Sequence, residues 1–130
     1  MKLPKLTSDS GVGRFAGVLL NSAVQTHIYH LQTRSYAAHK ALNEYYDEIP
    51  GLVDGIVEMW QGSNGQIVKG YSPFSPVEDN SPIPYLNNIL GQVQGMRFTV
   101  FKREDTKIQN EIDSIENLIT STLYKLTFLS

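Results

Sequence analysis

Two kinds of metal-binding side chain are concentrated in one stretch of this sequence, residues 27–58. All three histidines of the chain, His27, His30 and His39, lie within its first thirteen residues. Imidazole nitrogens and carboxylate oxygens together bind borderline and hard divalent metals without any sulfur ligand. The stretch therefore predicts a metal site. Five of the chain's thirteen acidic residues follow the histidines: Glu44, Asp47, Glu48, Asp54 and Glu58.

Four amphipathic segments with a helical period must position these side chains. Apolar residues recur every three or four positions from about residue 10 to 32, and again from Ser35 to Gly62. A third helix is predicted from Pro84 to about Lys102, and a fourth from Glu104 to Leu126. Pro50 interrupts the second helix and predicts a kink there, because the apolar period continues through it. Two shorter helices are the alternative.

Residues 62–83 form a long connection between the second and third helices. They are rich in Gly, Ser, Asn and Pro and have no sustained apolar period. No strand pattern and no internal repeat occurs in the sequence. Two helix pairs joined by one long crossover predict a single all-α domain over residues 1–130, a four-helix bundle of ferritin-like connectivity. Residues 1–8 are expected to form a flexible tail.

Helix geometry determines which candidate ligands can act together. His39 and Asp54 are fifteen residues apart on one helix, which is about 22 Å at the helical rise of 1.5 Å per residue. One chain therefore cannot bring both to the same ion. A hairpin of the first two helices places His27 beside His39, away from Asp54 and Glu58. A second chain related by a two-fold axis would supply its carboxylates to these histidines, so that an isologous dimer holds two sites.

The spacing His27-x11-His39-x14-Asp54-x3-Glu58 resembles the ferroxidase signature of the Dps family of miniferritins. The resemblance implies that these four residues bind Fe(II) between two subunits. It also implies oxidation of the iron by peroxide or O2, storage of the ferric product, and a homo-oligomer of isologous dimers, up to a dodecameric shell. Asn43 departs from the family, which usually has an acidic residue at this position. The crossover also lacks an obvious counterpart of the family's short middle helix.

Composition limits the other classes of function. The chain has no cysteine, which excludes disulfides and thiolate metal sites, and the apolar run at 15–20 is too short to span a membrane. The formal net charge of −2 gives no basic face for nucleic acid, so DNA binding is expected to be weak or absent. A cytoplasmic location is the corresponding expectation.

Two other interpretations of the same residues remain open. A metal-dependent enzyme on a His-rich bundle would use His27, His30 and His39, with an open position for water, and would leave Asp54 and Glu58 unused. A non-catalytic helical oligomer would carry the four residues as a vestigial site. His30 itself can face the site, the core or solvent.

Overall fold

Four helices make up most of the chain. The computed structural model describes residues 9–129. None of these residues forms a strand, so the predicted all-helical class is confirmed. The predicted tail at 1–8 lies outside the described residues. The helices are α1 (Asp9–Gln32), α2 (Tyr36–Asn64), α3 (Pro82–Met96) and α4 (Thr106–Phe128).

One hydrophobic core lies between the four helices. Helices α1 and α2 pack against each other, as do α3 and α4, and the two pairs meet through α2 with α4 and α1 with α3. Each helix contributes one apolar stripe, because its large aliphatic and aromatic residues recur at three- and four-residue spacing. No helix among residues 9–129 is long and apolar enough to cross a membrane. The largest core side chains include Phe15, Leu19, Tyr45, Ile49, Ile56, Leu86, Ile108, Ile112, Ile115 and Ile119.

Helix α2 is one continuous helix, so the alternative of two shorter helices is wrong. It begins after Ser35, whose hydroxyl oxygen accepts a hydrogen bond from the Ala38 amide at 3.2 Å. It continues through Pro50 and ends at Gly65, which has the left-handed conformation (φ 63°) that favours glycine at a helix C-terminus. The helix begins within one residue of its predicted start at Ser35 and extends two residues beyond its predicted end at Gly62.

The connection between α2 and α3 contains an extended segment that lies along α1; residues 66–78 are called the strap. Its backbone approaches two glycines of α1 very closely. A Cβ atom on Gly13 would lie 2.2 Å from the Lys69 carbonyl oxygen, and one on Gly17 would lie 2.3 Å from the Ser72 amide nitrogen. Only glycine leaves room for the strap at these two positions.

Two amide side chains of α1 bind the strap beyond the glycines. The Nδ2 of Asn21 donates to the carbonyl oxygens of Ser72 and Pro73 at 3.0 and 3.1 Å. The amide of Gln25 binds the backbone of Val77 in both directions, accepting from its N–H at 2.7 Å and donating to its C=O at 3.2 Å. The strap therefore runs in the same direction as α1, and α3 begins at the end of the molecule where α2 begins.

The turn between α3 and α4 differs from the prediction. Helix α3 ends at Met96, whereas the apolar period predicted helix to about Lys102. The cause is Arg97, whose guanidinium donates to the side chain and the backbone oxygen of Gln109 at 2.9 Å each. Gln109 in turn donates to the carbonyl oxygens of Arg97 and Lys102. These bonds satisfy backbone oxygens that helix would otherwise use, and they fix a turn that delays α4 until Thr106.

Candidate functional site

Two of the three histidines face each other where α1 and α2 join. The rings of His30 and His39 are stacked, with centroids 3.5 Å apart and an interplanar angle of 21°. The Nδ1 of His30 lies 2.7 Å from the backbone oxygen of His39, and the Nδ1 of His39 lies 3.0 Å from the backbone oxygen of His30. A carbonyl oxygen can only accept, so both Nδ1 atoms donate. In the neutral ring this leaves the lone pair on Nε2, the arrangement found in metal-binding histidines that bond to a backbone carbonyl.

His27 lies beside this pair on α1 and is exposed. Its ring stacks on Tyr46 of α2 at a centroid distance of 4.2 Å and lies 5.7 Å from the ring of His30. Tyr46 also presents its ring at a steep angle to His30, at 5.3 Å. Tyr46 is thus in contact with both histidines of α1, which restricts the orientations open to each of them.

His30 is buried, with 7% of its surface exposed, whereas His39 is half-buried. The sequence left open whether His30 faces the site, the core or solvent. In the structure its side chain is buried between α1 and α2 and does not face solvent. A group from another molecule can therefore approach His27 most easily, His39 less easily and His30 least.

The two predicted carboxylate ligands lie elsewhere on α2. Asp54 and Glu58 are both exposed, one helical turn apart, toward the end of the helix opposite His39. Within residues 9–129, no three histidine, aspartate or glutamate side chains come close enough to hold one metal ion. The single chain therefore brings the histidines together and leaves the carboxylates apart from them.

Two of the other acidic residues in the 27–58 stretch, Glu44 and Asp47, have partners within the chain. Glu44 forms an ion pair with Lys125 of α4 at 2.8 Å, and this hydrogen bond, with the lysine charge, lowers the pKa of the Glu44 carboxyl. Asp47 accepts a hydrogen bond of 2.6 Å from the Nδ2 of Asn43, one turn earlier on α2. Asn43, one turn after His39 on α2, is therefore a neutral side chain that orients the Asp47 carboxylate.

Apolar side chains are exposed next to the histidines. Val24 and Leu31 have 47% and 72% of their surface exposed. They lie three residues before and four residues after His27, which places all three on one side of α1 at 100° per residue. Val24 and Leu31 therefore form a small exposed apolar face of α1 beside His27.

Sequence reasoning missed the side of α1 that holds the strap. Its signal was a small or amide residue at every fourth position, which keeps the side chains on one side of a helix. The spacing was visible, but nothing in one sequence said that an extended segment would fill the groove. The four residues are Gly13, Gly17, Asn21 and Gln25.

Comparison with known proteins gives a family but no activity. Residues 30–126 match a family described as "Family of unknown function (DUF5856)". The chain belongs to this family. It is also similar to the "Uncharacterized 14.6 kDa protein in mobD-ri intergenic region" of Enterobacteria phage T4, with 29% identity over 121 residues, covering 91% of this chain and 89% of the relative. No solved structure matches.

These findings correct the family suggested by the ligand spacing. The match to DUF5856 extends over most of the chain, whereas the resemblance to Dps depends on four positions, from His27 to Glu58. Assignment of the chain to the Dps family is therefore wrong. Four positions on two helices constrain a family weakly, because helical spacing alone produces many similar patterns.

Proposed function

We propose that two copies of this chain pair through their α1–α2 hairpins and bind Fe(II) at two equivalent sites, where O2 or peroxide oxidises the iron. Each site would combine His27 and His39 of one copy with Asp54 and Glu58 of the other. The observation that carries the proposal is the placement of these donors. They are at least partly exposed, and His39 is separated from Asp54 by about 22 Å of helix, so only a second chain can complete the set.

The chemistry of the donor set suits iron as a substrate. Imidazole nitrogens hold the ferrous ion, and carboxylate oxygens stabilise the ferric product. The backbone bond at Nδ1 of His39 keeps its Nε2 lone pair available in the neutral ring. The order of two helix pairs joined by a long crossover is also that of ferritin-like four-helix bundles, which build their metal sites from carboxylates and histidines.

The charge distribution and the exposed apolar side chains both support an antiparallel pairing of two copies. The histidine end of the hairpin carries Arg34 and Lys40, whereas the other end of α2 carries Asp54 and Glu58. A two-fold axis brings the first end of one copy against the second end of the other, so opposite charges meet. The apolar face at Val24 and Leu31 then becomes covered by the partner.

Subunit mixing tests the proposal most directly. His39→Ala and Asp54→Ala chains should each lose Fe(III) formation, measured by stopped-flow absorbance when anaerobic protein loaded with Fe(II) is mixed with O2 or peroxide. When the two variants are unfolded together and refolded, heterodimers have one site with both defects and one intact site. About a quarter of all sites should then recover, because half of the pairs are mixed. A site formed within one chain cannot be restored by mixing.

Two outcomes would contradict the proposal. Equal loss in the mixture and in the separate variants would exclude a shared site. Wild-type protein that pairs in sedimentation equilibrium but takes up no Fe(II) would support the non-catalytic helical oligomer, which the exposed Leu31 and Val24 also favour.

A further inference from the structure

The contact between His30 and His39 joins the two helices in both directions. Each ring donates from Nδ1 to the backbone oxygen of the other residue, and the rings stack at 3.5 Å. We infer that His30 is a positioning residue of the metal site, which fixes His39 in one orientation without itself binding the ion. The metal-binding part of this inference depends on the proposed function, whereas the contact itself does not.

The orientation of the His39 ring matters for the end of α1 as well as for metal binding. Helix α1 ends at Gln32, so the backbone oxygen of His30 is among the last four of the helix, which have no partner within it. The Nδ1–H of His39 satisfies this oxygen. A rotated or flipped His39 ring would lose that bond, and nothing would then hold the proton on Nδ1 and the lone pair on Nε2. The orientation that satisfies the end of α1 is therefore also the one that presents the Nε2 lone pair of His39 to a metal ion.

The side chain of His30 keeps His39 in this orientation by two means. Its ring covers one face of the His39 ring, and its own Nδ1–H holds the first turn of α2 through the His39 backbone oxygen at 2.7 Å. Its burial, with the edge contact to Tyr46, prevents it from turning outward. Because His30 is enclosed by the hairpin, a partner's carboxylates reach His39 and His27 more easily than they reach His30.

The two contributions can be separated by substitution, because few residues supply both a flat ring and a donor. His30→Phe keeps a flat ring against His39 and removes the donor. His30→Gln keeps an amide donor and removes the ring. His30→Ala removes both. We expect His30→Ala to weaken Fe(II) binding by about 10- to 100-fold, as is usual when a residue that orients a metal ligand is lost, and the other two variants to retain part of the affinity.

The test measures the ring of His39 and the metal affinity independently. Long-range ¹H–¹⁵N spectra of histidine-labelled, metal-free protein should show His39 protonated at Nδ1 in the wild type. In His30→Ala they should show a mixture of both tautomers, with helix content unchanged by circular dichroism. Anaerobic titration with Fe(II) then gives the loss of affinity. The His27 signal shows in the same spectra whether loss of the His30 ring, which contacts both His27 and Tyr46, also disturbs the other histidine of α1.

The possible results are distinguishable. An unchanged His39 tautomer in His30→Ala would overturn the positioning role, whatever the metal data show. Loss of iron binding in His30→Phe as complete as in His39→Ala would make His30 a ligand and also overturn it. If the wild type binds no Fe(II) while the tautomers change as expected, the proposed function fails and the structural role of His30 stands.

Discussion

The close contact between α1 and the strap can be tested by adding a single methyl group. In Gly17→Ala, the new Cβ atom would lie 2.3 Å from the Ser72 amide nitrogen. Ordinary contact between non-bonded heavy atoms needs about 3.5 Å, so the strap must move by about 1 Å. The same movement disturbs the two bonds that Asn21 donates to the strap at Ser72 and Pro73.

The expected cost follows from three contributions. Overpacking costs about 1–3 kcal/mol, and weakening the two Asn21 bonds costs up to about 1 kcal/mol each. Alanine regains about 1 kcal/mol because it is a better helix former than glycine. The free energy of unfolding should therefore fall by about 2 kcal/mol, which lowers the melting temperature by about 8 °C for a domain of this size.

Gly91→Ala is the matched control in the same chain. Gly91 lies within α3, is exposed, and has open space where its Cβ would be. The substitution should raise the free energy of unfolding by about 0.5–1 kcal/mol through helix propensity alone. Urea unfolding followed by circular dichroism measures both variants. Hydrogen exchange at the Val77 amide, which is bonded to Gln25, should accelerate in Gly17→Ala only.

Equal stability of the two variants would refute the close approach of the strap to α1. A loss of stability in Gly17→Ala without faster exchange at Val77 would also contradict the reasoning, because the cost would then arise elsewhere. Gly13→Ala gives an independent repetition, since its Cβ would meet the Lys69 carbonyl oxygen at 2.2 Å.

Three further predictions concern pairing, alkaline stability and DNA. Pairing of His39 with the partner's carboxylates places the two-fold axis near residue 47, so the Asp47 carboxylates of the two copies lie close and repel each other. Asp47→Asn should remove this repulsion and strengthen the dimer several-fold in sedimentation equilibrium, whereas the control Glu78→Gln on the strap should not. Burial raises the pKa of Tyr85 to about 12 from 10.0, so its contribution to stability is present below pH 10 and disappears as the pH rises through 12; urea unfolding of Tyr85→Phe should show less of this alkaline loss. Duplex DNA should bind weakly in anisotropy titrations at about 150 mM salt, with or without residues 1–8, and tight binding would contradict this.

The helices were predictable because one apolar stripe per helix is enough to locate them. The stripe of α2 continues through Pro50, and the observed helix does the same. The end of α3 was not predictable in this way. Val100 and Phe101 continue the apolar spacing and still contribute to the core, yet the bonds between Arg97 and Gln109 convert that part of the chain into a turn. Side-chain bonding between distant positions is invisible to periodicity.

For the candidate site too, the sequence predicted spacing along a helix but not contacts between helices. Helical rise alone separated His39 from Asp54, and the structure agrees that one chain leaves the histidines and carboxylates apart. The environment of His30 could not be predicted without the register between α1 and α2. Its partners are the ring and backbone of His39, a residue nine positions away on another helix. Spacing along one helix therefore predicted which groups cannot meet, while contacts across helices determined how each ring is held.

The family correction leaves the chemical argument for the site in place, because the two depend on different observations. Membership concerns the whole sequence, and residues 30–126 match DUF5856. The shared-site proposal depends on the exposure and separation of four side chains, His27, His39, Asp54 and Glu58. It also depends on the bond from Nδ1 of His39 to the His30 backbone oxygen, which leaves the lone pair on Nε2. If the mixing experiment restores iron oxidation, this geometry is sufficient for a ferroxidase without Dps ancestry being assumed. If it does not, metal binding does not account for the exposed apolar face of α1 at Val24 and Leu31.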